Sequence, residues 1–374
     1  MTANSIQRRR ERYSKLSSEI AQMDNAKLQS LLDTDENQRG WGKTQILEIG
    51  AAKVFIKRVP ITDLEYANQF STRNLYDLPM YYNYGVGSAG FGVFRELLTH
   101  IKTTNWVLEG AIANFPLMYH SRILPACGAR AEVDRESHQK YVDYWGGNAN
   151  ISRYILDRAS AQHEAVIFLE YIPHTVGTWL SDNTHKVDAL LADMRNTIAF
   201  LRTKGIIHLD VHFHNIVTDG KRFYLTDFGL ALDKSFDLTP AERAFYQRNT
   251  EYDYGELLSS LGSHLAHMCR DGLSEAEKAH LFDTYGITEK IEFETLMSLL
   301  VDRSAEIQAD HILKIDQKYL AAIAKYRRIL TLMHHFYSDM WRNNQKDTQF
   351  ENAKLRKMLH KTGFLPVAVP KTAA

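Results

Sequence analysis

G-I-I-H-L-D-V-H-F-H-N, residues Gly205–Asn215, followed by L-T-D-F-G, residues Leu225–Gly229, is the stretch on which the reading of this chain turns. His208, Asp210 and Asn215 stand in the order H-x-D-x-x-x-x-N. Between the two motifs lie Ile216-Val217 and Phe223-Tyr224-Leu225, short strand-like runs. They are separated by Thr218-Asp219-Gly220-Lys221, a turn composition, and so form a hairpin. The hairpin is expected to fold the chain back and set Asn215 beside Asp227. Either motif alone is a weak signal. In this order, on one hairpin, they are a strong one.

The pair of motifs resembles the catalytic loop and the D-F-G of the protein-kinase-like superfamily, over roughly residues 39–265. The resemblance implies an α+β, two-lobed protein-kinase-like fold, with a small antiparallel-sheet N-lobe, a helical C-lobe and helical extensions. It implies ATP and Mg2+ as cofactors. Asp210 would orient the acceptor hydroxyl, and Asn215 and Asp227 would hold the metal. Val54-Phe55-Ile56-Lys57 resembles the strand that delivers a lysine to the nucleotide phosphates, although a lysine ending an apolar strand is otherwise a solvated edge residue. Gly40 and Gly42 stand where a phosphate-covering loop belongs. Gln45 replaces its third glycine, and a plain turn before a strand is the alternative. The lysine needs a helix glutamate. Glu96, in the R-E-L helix over 92–106, is preferred to Glu65 in a helix over 62–76. Residues 60–90 then form an insertion, in which Tyr84–Gly90 only bends the chain. Phe115–His120 reads as the next strand and 125–162 as an inserted loop and helix. Ala165–Leu169 leads into Glu170-Tyr171-Ile172-Pro173, which resembles the hinge. There the carbonyl of Glu170 and the amide of Ile172 would meet adenine.

Several residues depart from the protein-kinase pattern. Leu209 replaces the arginine that pairs with a phosphorylated activation segment, and leucine cannot bind a phosphate. His212 stands where a lysine is usual, as in aminoglycoside and choline-type phosphotransferases, whereas D-F-G-L-A at Asp227–Ala231 resembles a protein kinase. The following segment is short, with Pro240-Ala241-Glu242 closing it. Phosphorylation of that segment is therefore expected to be dispensable. Asp253 reads either as a buried support for the catalytic loop or as an exposed acid. His208 reads as structural. His212 and His214 have metal-like spacing but lack a third ligand nearby.

The rest of the chain bounds the answer. It has 374 residues and 44% hydrophobic content, with 45 Lys+Arg against 45 Asp+Glu, a formal net charge of zero. That balance argues against nucleic acid or an anionic membrane as partner. Two cysteines make no disulfide framework, no apolar run is long enough for a membrane span, and the basic N-terminus has no apolar core behind it, so a cytoplasmic location is expected. The expected segments are 1–38, an N-terminal helical extension; 39–172, the N-lobe with insertions and hinge; and 173–265, the C-lobe core. Residues 266–366 form a C-terminal helical region and 367–374 a disordered tail. Arg8–Arg12 reads as a solvated helix face, Val187–Thr203 as an amphipathic helix ending at Gly205, and 309–343 as a long apolar helical stripe. The reading is an ATP-dependent phosphotransferase acting on Ser/Thr hydroxyls of a protein. A small-molecule kinase is the alternative, and a pseudokinase scaffold the less favoured one.

Overall fold

The computed structural model describes residues 3–32, 37–39, 42–85, 87–126, 133–270, 273–288, 290–310 and 315–366. Gly40 and the tail 367–374 lie outside them, as does Cys127. The fold is mixed α+β with antiparallel sheets. Its elements group into two units. The first comprises Met1–Pro173, Phe200–Asp210 and Tyr224–Gln247; the second comprises His174–Ala199, Val211–Phe223 and Arg248–Ala374.

The first unit opens with helices α1 (Ala3–Ala21) and α2 (Asn25–Leu32). Asp24 starts α2 by accepting the Lys27 N–H at 2.8 Å. Strands β1 (Asn37–Arg39), β2 (Gly42–Ile49) and β3 (Ala52–Ile61) follow, then helices α3 (Asp63–Ala67) and α4 (Val93–Glu109). Strand β4 (Met118–Pro125), helices α5 (Arg135–Tyr144) and α6 (Ala149–Ala159) and strand β5 (His163–Glu170) complete the run. The sheet order is β1-β2-β3-β5-β4, and every neighbouring pair is antiparallel.

Side chains alternate across a strand, and this alternation builds the site. Phe55, Val59 and Ile61 of β3 and Ala165, Ile167 and Leu169 of β5 face α4, packing on its Val93, Phe94 and Leu97. Lys57 falls in the same odd-numbered run. The even-numbered face meets the N-terminal helices, where Arg58 donates to the Leu32 carbonyl at 3.3 Å. Leu16, Ile20, Leu28 and Leu32 are buried on that side. Pro60, which has no N–H to give, pairs in register with Glu164 of β5.

Three local expectations are corrected. The helix expected over 62–76 is only α3: Thr62 and Glu65 start it with a capping box, Asn68 closes it, and Phe70 turns into the left-handed region at φ 60°. The strand expected at Phe115–His120 begins at Met118 and runs to Pro125. The inserted stretch after it carries two helices, α5 and α6, rather than one.

The second unit is helical apart from short strands. Its helices Tyr252–Arg270, Phe293–Asp302, Gln317–Trp341 and Asn352–Lys361 share buried faces. Gly255 and Gly262 lie on one face of the first of these. A Cβ on Gly255 would fall 2.6 Å from Met333 Sδ, and one on Gly262 would fall 2.6 Å from Phe293 Cζ, so the helices meet where a side chain is missing. The apolar stripe expected over 309–343 becomes Gln317–Trp341, begun by Asp316, whose carboxylate accepts the Lys318 N–H. The helix Val187–Thr203 has its expected bounds. Among the described residues, no helix is long and apolar enough to cross a membrane.

Candidate functional site

Within the first unit, strand β3 presents Lys57 to the flank of α4. Its Nζ donates to Glu96 Oε1 at 2.6 Å and to Asp227 Oδ1 at 2.9 Å. The side chains of Lys57 and Glu96 are 16% and 5% exposed, whereas that of Asp227 is 41% exposed. Burial pulls the lysine pKa down, but the two carboxylates more than reverse this and raise it above its ordinary value. Burial works against ionisation of Asp227 and Glu96 as well, yet Lys57 holds both below the usual carboxylate range, Asp227 at about 2. All three groups are therefore ionised near neutrality. The ammonium is fixed between two acids, one of them open to solvent.

Glu65 does not join this cluster. It is 2% exposed and spans two helix starts, accepting the Thr62 N–H at 2.9 Å and the Val93 N–H at 3.1 Å. Gly92 precedes α4 at φ 111° and has no side chain to cap it, so a carboxylate from α3 fills that role. Both glutamates thus serve α4: one carboxylate lies at its start, and the other rides on it.

The motif residues carry the backbone conformations that place them. Leu209 and Asp227 both lie in the left-handed region, at φ 65° and 64°. Such residues cost about 1–3 kcal/mol each and persist only where the surroundings fix them. Here His208 supplies part of that fixing, its Nε2 lying 3.1 Å from the Thr226 carbonyl. Phe228 is fully buried, with His208, His100 and Phe115 around its ring. Strand Ile206–Ile207 pairs antiparallel with Leu232–Asp233 and closes the loop from behind. The structural reading of His208 matches this geometry.

Asp210 has an unexpected neighbour. The glycine-rich turn around Gly85 does more than bend the chain: a Cβ on Gly85 would stand 2.1 Å from Asp210 Oδ1. At the other end of the turn, Phe91 donates to the Gly229 carbonyl at 3.4 Å, and a Cβ on Gly90 would stand 2.6 Å from that oxygen. An aromatic cluster backs the turn. The Tyr82 hydroxyl accepts the Ala89 N–H, the Tyr141 hydroxyl donates to the Gly87 carbonyl, and Trp145 is fully buried beside both rings. The inserted segments therefore meet at the carboxylate the sequence singles out.

At the expected hinge, the backbone of Glu170 is still in β5, opposite Val54, and its side chain is buried. Arg9 of α1 grips that carboxylate at 2.5 Å, donates to the carbonyls of Ala113 and Phe115, and lies over the Tyr224 ring. The expectation of a solvated Arg8–Arg12 face fails for Arg9, which is 9% exposed, because its acceptors lie far along the chain. Gly42 opens β2, paired with Arg39, and a Cβ there would fall 2.8 Å from the Arg58 carbonyl. Ile172 follows β5 in irregular backbone.

In the second unit, Asn215 ends the single turn Phe213–Asn215, which His212 caps by accepting the His214 N–H at its Nδ1. Glu256 accepts the Val211 N–H at 2.5 Å and so anchors the residue after Asp210. No spacing in the sequence marks Glu256 for this role. Asp253 is 1% exposed, which removes its reading as an exposed acid. Among the described residues, no group of three or more His, Cys, Asp and Glu side chains gathers in a way that could hold a metal unaided. No protein-family model matches the chain, and no curated protein matches it.

Proposed function

We propose that the chain is an ATP-dependent phosphotransferase with a two-lobed, protein-kinase-like fold, acting on the Ser/Thr hydroxyls of a protein. The observation that carries this is Lys57, held at 2.6 Å by Glu96 and at 2.9 Å by Asp227. A permanently charged lysine placed by a helix glutamate suits the binding of nucleotide phosphates, and catalysis of phosphoryl transfer rests on such positioning and charge.

The residues present fit ATP and Mg2+. The exposed Asp227 carboxylate, ionised far below neutral pH, offers the hard oxygen that magnesium prefers. Asn215 would supply the amide oxygen. Magnesium is commonly held by only one or two carboxylates together with phosphate and water. Bound, the metal would neutralise charge on the transferring group. Lys57 would steady the phosphates, the backbone at Glu170 and Ile172 would receive the base, and Gly40 and Gly42 would border the phosphates. Asp210 would orient the acceptor hydroxyl and take its proton.

A second reading, a small-molecule acceptor, draws on the closeness of Gly85 to Asp210, since an inserted turn there narrows the approach for an extended peptide. The test is transfer of label from γ-labelled ATP, with the purified protein, to lysate proteins and to a metabolite panel. Label in proteins that vanishes with Asp210→Asn supports the first reading. Label in metabolites alone selects the second, and label nowhere sinks both.

A further inference from the structure

We propose that the buried ion pair between Arg95 and Glu242 stands in for a phosphate: it fastens the segment after Asp227-Phe228-Gly229 to α4 and thereby positions Glu96. The inference rests on the phosphotransferase reading for its kinetic meaning, though not for its structural content.

Arg95 immediately precedes Glu96 on α4. Its Nη2 meets Glu242 Oε1 at 2.5 Å, and the two side chains are 1% and 0% exposed. Arg95 Nε donates to the Thr72 carbonyl at 2.8 Å, and the Thr72 hydroxyl accepts the Asp237 N–H at 2.9 Å. Glu242 also receives the Thr239 N–H at 2.8 Å while its own N–H goes to the Thr239 hydroxyl, which starts the helix Pro240–Arg248. Two turns further along α4, Lys102 Nζ reaches Asp233 Oδ2 at 2.6 Å and Ser235 Oγ at 2.5 Å. The Phe236 ring centroid is 5.7 Å from the Arg95 guanidinium carbon and 5.8 Å from Lys102 Nζ.

The segment from Leu230 to Thr239 is thus tied to α4 near both ends by fixed charges. Its two hydroxyls, Ser235 and Thr239, are already engaged in those ties. Leu209 cannot bind a phosphate, and this arrangement gives a phosphate nothing to do. A buried ion pair is poor evidence for stability, because apolar groups of similar volume often replace it at no loss. What it supplies is direction: the planar guanidinium donates from Nη2 to the Glu242 carboxylate and from Nε to the Thr72 carbonyl at once, which few orientations allow. Arg95 is accordingly a positioning residue. It acts through Glu96 and the segment and touches no reacting atom.

The experiment compares the full-length wild type with Arg95→Met/Glu242→Leu and with Arg95→Lys. It reads thermal midpoint, hydrogen exchange over Leu230–Thr239, affinity for a fluorescent ATP analogue and ATP turnover. The double variant should keep its midpoint and its nucleotide affinity while exchange in the segment rises and turnover falls, each by about tenfold or more. Arg95→Lys, which keeps the charge and loses the fork, should fall between and covers the case in which the double variant does not fold. Phosphatase treatment should leave the wild type unchanged. Unaltered exchange in the variants overturns the clamp, and faster exchange with full turnover overturns its positioning role. A wild type that turns over no ATP defeats the phosphotransferase reading, while the exchange arm still decides the clamp.

Discussion

Replacing Glu96 by Gln asks whether the Lys57 contact serves the reaction or only the fold. The amide oxygen of Gln can still accept from Lys57 Nζ, so the bond persists without the carboxylate charge. Lys57 stays charged and its bond to the amide stays charge-assisted. What is lost is the attraction of the Glu96 carboxylate charge, about 1–2 kcal/mol at so buried a site. The change removes that much positioning and leaves Lys57 to the Asp227 carboxylate at 2.9 Å. At about 1.36 kcal/mol per decade, turnover should fall about five- to thirtyfold. Glu65→Gln perturbs the same helix differently, since Glu65 accepts the Thr62 and Val93 N–H groups on separate oxygens and an amide can accept only one of them. Loss of a charge at a helix start costs about 0.3–1 kcal/mol, seen as a thermal shift of about 1–4 °C. Steady-state ATP turnover and melting, measured on both variants, separate the roles. Glu96→Gln should be slow and nearly as stable as wild type, and Glu65→Gln less stable and nearly as fast. The reverse ranking would refute the assignment of Glu96 to the lysine.

Ser235→Ala/Thr239→Ala should turn over at about the wild-type rate, and a large loss would show that one of these hydroxyls carries a required phosphate. Gly85→Ala places a Cβ against the Asp210 carboxylate, so turnover should change severalfold in either direction while the thermal midpoint moves little; identical kinetics would detach that turn from the site. His264 provides a pH test. It is buried, bonded to the Tyr319 hydroxyl at 3.0 Å, and burial, with His267 and His214 nearby, lowers its pKa to about 4. The unfolded chain binds that proton near pH 6.5 and the folded chain does not. Stability is therefore full above about 6.5 and is lost as pH falls toward 4, by about 2–3 kcal/mol. His264→Phe should flatten urea-melt stability across that window, and an unchanged slope would assign the loss to other groups.

How much of this was legible in the sequence depended on distance along the chain. The spacing of His208, Asp210 and Asn215 and the Asp227-Phe228-Gly229 motif are local, and so is the periodicity that sets Val187–Thr203. Val54-Phe55-Ile56-Lys57 and the R-E-L helix start are local too, and their resemblance to the superfamily points to Lys57 and Glu96. Contacts between remote segments left no such mark. Arg9 and Glu170 are separated by most of the first unit, so a buried arginine looked like one more charge on a solvated helix. Arg95 and Glu242, and Gly85 and Asp210, were hidden for the same reason. Glu65 resembled a partner for the lysine because its second function, capping α4 across space, has no sequence period. Nothing in composition announces that the chain leaves the helix after Ala67 and that Phe70 turns left-handed, so the sequence predicts a longer helix than α3.

The central claim is that Lys57, Asp210, Asn215 and Asp227 transfer a phosphoryl group from ATP. The most direct measurement is release or transfer of γ-phosphate from labelled ATP with Mg2+, by wild type and by Asp227→Ala, at matched thermal stability. Label should move with the wild type, stop with Asp227→Ala, and stop again when Mg2+ is chelated. Equal transfer by the two proteins, or none by a folded wild type that binds no nucleotide, would contradict it.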